Sequence, residues 1–167
     1  FPTRRSSDLG ALSNSKPEVI FGLHVMAGMP SGHLYYKDGA VLNSADGVRI
    51  TLDGQQVHGS MPWKGRDSIV AAADIIQNMQ TLVSRRTDLS KGMGVISIDQ
   101  IQGGTSGNII PKQVSMTGTI RSNHEYIRQN ILKSLPEMID HTAKANDVQA
   151  KIEISAYRSE ERRVGKE

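Results

Sequence analysis

The fold of this 167-residue chain is decided by the stretch Val48-Arg49-Ile50-Thr51-Leu52-Asp53-Gly54. Apolar and polar residues alternate in it, which is typical of a strand with one buried face, and Asp-Gly is a turn pair that ends the strand. The alternation returns in Gly94 to Gln102 and in Val114 to Ile120, and Lys151 to Ile154 closes the set. We therefore predict four strands in the part of the chain beyond Gly47.

Two amphipathic helices separate these strands. Asp67 has the side chain of an N-cap, and apolar residues then recur at three- and four-residue steps as far as Arg86, a helix of about five turns. The residues of this stripe are Ile69, Ala73, Ile76, Met79 or Gln80, and Val83. Ser122 and Glu125 form a capping-box pattern ahead of a second stripe, in which Pro136 predicts a kink.

The resulting element order is β-α-β-β-α-β. It predicts an α+β domain of the ferredoxin-like type, with a four-stranded antiparallel sheet and both helices on one face. Residues 47–157 are long enough to bury one modest core. Residues 10–46 are rich in Gly, Ser and Pro, and their one apolar run, residues 19–25, predicts a buried strand. We expect residues 10–46 to be a piece of a neighbouring domain.

The composition is that of one globular domain, with 37% hydrophobic and 22% charged residues. Because the chain has no cysteine, thiolate metal sites and cysteine nucleophiles are excluded, while reducing and oxidising compartments are equally compatible with it. No apolar run approaches the roughly 20 residues of a membrane span, so we expect no membrane partner.

The two termini can be written from one oligonucleotide. Reverse translation of residues 158–167 yields, on the complementary strand, codons for residues 1–8 and the first two bases of a codon for Leu9, and the DNA resembles a common sequencing adapter. We expect both tails to be adapter-derived and exclude them from fold reasoning. Each tail carries one surplus cation, so the formal net charge falls from +3 to +1 without them. A net charge of +1 does not indicate nucleic-acid binding, and we expect no nucleic-acid partner.

Two of the five histidines stand where chemistry could occur. His24 ends the apolar run and opens a Gly/Pro-rich loop, the place where strand ends present ligands in α/β enzymes. A neutral imidazole there can bind a transition metal, although the spacing provides no second ligand. His58 lies in the irregular stretch between the first strand and the first helix. Its residues are equally compatible with a cleft histidine and with a surface turn.

Six segments follow one another in a recognisable order between residues 18 and 157. They are Phe21-Gly22-Leu23-His24-Val25, Val57-His58-Gly59-Ser60-Met61-Pro62, and residues 65–73, 82–85, 103–111 and 117–121. Together they resemble the metal-dependent amidohydrolase family of aminoacylases, hippurate hydrolase and auxin-conjugate hydrolases. The resemblance implies a catalytic domain with two divalent metal ions, zinc, manganese or similar. It also implies an inserted lid domain, here residues 47–157, that mediates homodimerisation, and hydrolysis of N-acyl amino acids or related small amides.

The resemblance assigns roles to four residues. It makes His24 a metal ligand of the catalytic domain. It makes His58 the lid histidine that reaches into the partner subunit's site and stabilises the oxygen of the cleaved amide. Asn108 and Arg121 match lid positions that hold the substrate or its carboxylate, which an arginine can bind through two parallel hydrogen bonds. Trp63 stands where many relatives have His, which leaves the identity of the substrate open.

The resemblance further implies that the other metal ligands and a Glu general base precede the lid, and that a last His ligand follows it. We therefore expect the chain to be an inactive fragment of such a hydrolase. The alternative is a non-catalytic dimerisation or binding module of ferredoxin-like fold. RNA-recognition domains share the element order, but they stack bases on aromatic residues of the central strands, and residues 114–121 contain none.

Overall fold

The computed structural model describes residues 24–36 and 42–157. Both terminal tails, and all but the end of the apolar run predicted as a strand at residues 19–25, lie outside the described residues. The chain divides into two compact units, Phe1–Tyr35 and Tyr36–Glu167. In the described part of the first unit the backbone forms turns, with Gly28 and Gly32 in the left-handed region at φ 86° and 81°.

The second unit is an α+β domain with the predicted element order. Its elements are β1 (Ala45–Asp53), β2 (Val57–His58), α1 (Ser68–Arg86), β3 (Gly94–Gly103), β4 (Ile109–Ile110), β5 (Gln113–Ser122), α2 (Glu125–Ala145) and β6 (Gln149–Tyr157), with a 3-10 turn at Pro62–Lys64. The four long strands form one antiparallel sheet in the order β3-β5-β1-β6. The ferredoxin-like prediction is confirmed. Two further short strands, β2 and β4, form a separate two-stranded sheet that no sequence pattern predicted.

The core lies between one face of the sheet and both helices. In β1, Val48, Ile50 and Leu52 are buried, as their alternation predicted. They pack in one cluster with Ala71, Ala72, Ile75, Met79 and Leu82 of α1 and with Ile127, Ile131, Leu135 and Ile139 of α2. Full burial of an aliphatic side chain contributes about 1.5–3 kcal/mol to stability. The packing of both helices on this face of the sheet therefore stabilises the domain.

Helix α1 begins and ends where the sequence predicted. The Asp67 Oδ1 accepts hydrogen bonds from the backbone N–H groups of Ile69 at 2.8 Å and Val70 at 3.1 Å. These bonds satisfy two of the amides that the first turn of a helix leaves unpaired. The helix ends at Arg86, where the basic side chains of its last turn complement the dipole.

The apolar stripe that revealed α1 is only partly its buried face. Ile69 is 48% exposed and Ala73 is also exposed, whereas Ala72 and Ile75 are fully buried. Met79 of the same stripe is fully buried, and Ile76 and Val83 are partly buried against the core. We call the residues of the stripe that are not fully buried, Ile69, Ala73, Ile76 and Val83, the second stripe of α1.

The start of α2 differs from the capping-box prediction. Its N-cap is His124, which makes no side-chain capping bond, and Glu125 is already helical. The Ser122 Oγ instead accepts from the N–H of His124 at 3.1 Å and donates to the carbonyl of Met93 at 2.7 Å. The helix continues through Pro136 to its end.

Neither long helix of the described residues is apolar enough to cross a bilayer.

Candidate functional site

The segment that carries His58 is fixed at its base. The N–H of Gly54 and the Oγ of Ser68 both donate to the carbonyl of Lys112 at 2.7 Å. Gln55 and Arg66 exchange two backbone hydrogen bonds of 3.0 and 3.1 Å. A Cβ at Gly54 would lie 2.6 Å from the Ser68 Oγ, so only glycine fits this close approach. The residues that follow therefore start from a rigid platform.

The two-stranded sheet brings His58 and Asn108 together. His58 pairs with Ile109 across β2 and β4. The N–H of Gly59 donates to the carbonyl of Asn108 at 2.8 Å, and a Cβ on that glycine would lie only 3.3 Å from the same oxygen. Two predicted site residues that are distant in the sequence therefore lie on adjacent backbone.

Both side chains are open to solvent and held by nearby serines. The His58 Nδ1 lies 2.8 Å from the Ser60 Oγ, and it accepts from the N–H of that serine at 3.2 Å. The Asn108 Oδ1 accepts from the Ser106 Oγ at 2.6 Å. Trp63, on the following 3-10 turn, is exposed as well. An imidazole and a carboxamide in this arrangement can meet a ligand that arrives from outside the domain.

Arg121 is not part of this pair. It lies at the far end of β5, about 26 Å along the strand from Gln113 at a rise of about 3.3 Å per residue. It is exposed and pairs with Val95 of β3, while its neighbour Ile120 pairs with Asp46 at the start of β1. The structure therefore places Arg121 at the end of the sheet where the chain enters the domain.

His24 lies in the first unit and is exposed. Its Nδ1 donates to the carbonyl of Val25 at 2.8 Å. Within residues 24–36 and 42–157, no three His, Cys, Asp or Glu side chains converge as metal ligands. A metal of the amidohydrolase type needs at least three such ligands. The described residues therefore do not fit a dinuclear centre by themselves.

A buried ion pair was missed by the sequence reasoning. The Nε and Nη2 of Arg128 donate to the two carboxylate oxygens of Asp46 at 2.6 Å each, with only 1% of Asp46 and 8% of Arg128 exposed. These bonds, aided by Glu125, raise the pKa of the Arg128 guanidinium above its usual range. The sequence contains one sign of this pair. Asp46 continues the alternation of Val48 and Ile50, so it lies on the buried face of β1.

The fold defines a class of protein domain, the ferredoxin-like α+β domain, which here carries the exposed side chains of His58 and Asn108 on a separate two-stranded sheet. The chain belongs to the M20 peptidase dimerisation domain family, whose model, described as a peptidase dimerisation domain, matches residues 42–147. The family resemblance found in the sequence is thereby confirmed.

Two similar proteins are named as deacetylases. The N-acetyldiaminopimelate deacetylase of Leuconostoc mesenteroides is 32% identical over 148 residues, which cover 88% of this chain and 38% of that protein. The N-acetylcysteine deacetylase of Bacillus subtilis is 33% identical over 139 residues, covering 83% and 36%. The chain thus spans less than two fifths of the length of these relatives.

Solved structures show the same domain. The YXEP protein of Bacillus subtilis, described as a dinuclear metal-binding peptidase of the M20 family, superposes with a TM-score of 0.56 and 28% identity over 73% of this chain and 28% of its own. A candidate aminohydrolase from methicillin-resistant Staphylococcus aureus superposes with a TM-score of 0.74 and 28% identity over 80% and 35%. The similarity again covers a minor part of each neighbour.

Proposed function

We propose that this chain is the lid and dimerisation part of a dinuclear-metal amidohydrolase that cleaves N-acyl amino acids or related small amides. The observation that carries the proposal is the outward-facing pair of His58 and Asn108 on the two-stranded sheet. Amide hydrolysis builds negative charge on the carbonyl oxygen, and N–H donors aimed at that oxygen stabilise it. Two similar proteins are named as deacetylases of N-acetyldiaminopimelate and N-acetylcysteine, which are N-acyl amino acids.

The separation of Arg121 from this pair supports a site built from two subunits. The segments that carry His58 and Asn108 are anchored at Lys112, next to the start of β5, and Arg121 lies about 26 Å along that strand, a span longer than a small N-acyl amino acid. This arrangement favours a site to which one copy of the domain does not supply all three side chains. A two-fold dimer can, because it places the two ends of the sheet in different active sites. We propose that Arg121 holds the substrate carboxylate in its own subunit, while His58 and Asn108 act in the partner's site.

Metal binding belongs to the longer protein in this proposal. Two divalent ions, zinc, manganese or similar, would be held there, with His24 as one of their ligands. Residues 10–46 would be a piece of the catalytic domain and residues 47–157 the lid. The 167-residue chain alone would then lack turnover, since its described residues do not form a metal site.

The test compares the full-length protein with this chain on a panel of N-acetyl amino acids. The full-length protein is expected to hydrolyse members of the panel, to lose activity on treatment with a chelator and to regain it with zinc or manganese. The 167-residue chain is expected to show neither hydrolysis nor stoichiometric zinc binding in a calorimetric titration. Hydrolysis by the chain alone, or a full-length protein without amidase activity, would overturn the proposal.

We propose that the homodimer forms through β3. This strand is an edge of the sheet, and its C-terminal half, residues 99–103, is exposed. Beside it runs a groove lined by four isoleucines, Ile76, Ile96, Ile98 and Ile101, and by the polar residues Gln80, Ser97, Asp99 and Gln100. The second stripe of α1 shares Ile76 with this groove. A second copy related by a two-fold axis would pair the unpaired edge and cover the stripe, in keeping with the dimerisation family to which the domain belongs.

Replacing Ile101 by Lys is expected to weaken this dimer at least about tenfold, because the substitution places a charge in the apolar part of the interface. The side chain is 53% exposed in the single chain, so folding should be retained. Sedimentation equilibrium of the 167-residue chain measures the dissociation constant. Leu89→Lys is the matched control, since Leu89 is 58% exposed in the turn between α1 and β3. An unchanged dissociation constant for I101K would refute the β3 interface.

A further inference from the structure

We infer that Ser60 is a positioning residue that fixes the tautomer and the orientation of His58. The inference rests on the proposed function for its catalytic consequence, whereas the positioning itself is a property of the folded chain. His58 is the last residue of β2 and Ser60 lies in the exposed turn that follows it. Both belong to the segment Val57-His58-Gly59-Ser60-Met61-Pro62, in which the family resemblance assigned a role to the histidine alone.

The two contacts between these residues specify where the imidazole proton lies. The backbone N–H of Ser60 donates to the His58 Nδ1 at 3.2 Å. A backbone amide can only donate, so Nδ1 must present its lone pair, and the proton of the neutral ring is on Nε2. The Ser60 Oγ, 2.8 Å from the same nitrogen, is then a second donor to Nδ1.

The hydrogen bonds of the backbone around His58 do not involve its imidazole ring. The N–H of Met61 donates to the His58 carbonyl at 2.9 Å, and the N–H of Lys64 donates to the Met61 carbonyl at 3.1 Å. On the other side, Gly59 is bonded to Asn108 across the two-stranded sheet. The main chain is therefore held from both sides, while the exposed imidazole is oriented by Ser60.

This tautomer determines what His58 can do. A neutral imidazole with its proton on Nε2 presents an N–H donor on the side away from Ser60. Such a donor can stabilise an oxygen that becomes negative, but it cannot remove a proton through the same atom. The turn therefore prepares His58 to act as a hydrogen-bond donor to the amide oxygen and not as a general base.

The test is nitrogen NMR of the imidazole ring in the 167-residue chain. The wild-type chain is expected to show a protonated Nε2 and an unprotonated Nδ1. Ser60→Ala removes the stronger donor and is expected to raise the share of the Nδ1–H tautomer about fivefold, the weight of one ordinary hydrogen bond. Ser60→Thr keeps a hydroxyl and should restore the wild-type distribution. Ser90→Ala is the control, because the Ser90 hydroxyl contacts Asp88 in another turn.

A wild-type ring protonated on Nδ1, or a tautomer distribution that Ser60→Ala leaves unchanged, would overturn the inference. In the full-length protein, Ser60→Ala is expected to lower kcat about fivefold with little change in KM, since the donor acts on charge that develops during the reaction. If the tautomer shifts while kcat does not, the positioning by Ser60 stands and the proposed role of His58 in hydrolysis is refuted.

Discussion

Replacing Arg128 by Met is expected to lower the free energy of unfolding of the domain by about 3–5 kcal/mol. The substitution leaves the Asp46 carboxylate in the core without the two hydrogen bonds of 2.6 Å that satisfy it. A buried charge without a partner retains its full desolvation penalty. Methionine fills much of the volume of the arginine stem, so the loss reports the unpaired charge more than a cavity.

Urea denaturation followed by circular dichroism measures this effect. The double variant D46L/R128M removes both charges and is expected to recover most of the lost stability, because two apolar side chains can replace a buried pair. Lys144→Met is the matched control. Its partner Asp140 is 2.6 Å away, but both side chains are exposed, and the expected change is about 0.5 kcal/mol or less. A single variant R128M as stable as the wild type would contradict the prediction.

This ion pair also fixes the end of the sheet that carries Arg121. Asp46 pairs with Ile120 in the ladder between β1 and β5, and Ser44, just before β1, donates its N–H to the Ser122 carbonyl at 2.7 Å. Arg121 therefore stands between two residues that are tied to the start of β1. Its proposed role in substrate binding depends on this entry to the domain being well ordered.

The sheet could be predicted from the sequence because side chains of a strand alternate between faces whatever the rest of the fold does. Val48, Ile50 and Leu52 thus identified both β1 and its buried face. The same reasoning found α1 but only part of its buried side, since Met79 of the predicted stripe is buried and Ile69 is exposed. Which side of the helix is buried depends on the neighbours that the sheet supplies, a property that Ile69 and Ala72 do not carry locally.

The candidate site was predictable only in part. His58 and Asn108 could be named from motifs, but their adjacency depends on two-residue strands that have no periodicity to detect. Those strands form because Gly54 and Lys112 anchor the loop bases, which is a contact between distant parts of the chain. The isolation of Arg121, in contrast, follows from the length of β5 once its ends are known.

A mixed dimer of full-length His58→Ala and Arg121→Ala subunits is expected to show about half of the wild-type kcat/KM, because one of its two sites is intact. The His58→Ala homodimer should lose about 10²–10³-fold in kcat, the effect of removing one oxyanion donor. The Arg121→Ala homodimer should lose about 10–100-fold in kcat/KM, since a charged hydrogen bond to the carboxylate is absent. Recovery follows because the subunit without His58 keeps its own Arg121 and receives His58 from its partner.

The measurement uses co-expression with two affinity tags, so that only mixed dimers are purified. A second mixed dimer, of His58→Ala and Asn108→Ala subunits, is the control that makes the result specific. In the proposed dimer, the adjacent His58 and Asn108 of one copy act in the same partner site, so each site of this mixed dimer lacks one of them and activity should not recover. Recovery in both dimers, or in neither, would contradict the division of the sheet between two active sites. Recovery in the first alone requires that the lid serve one subunit with one end and its partner with the other.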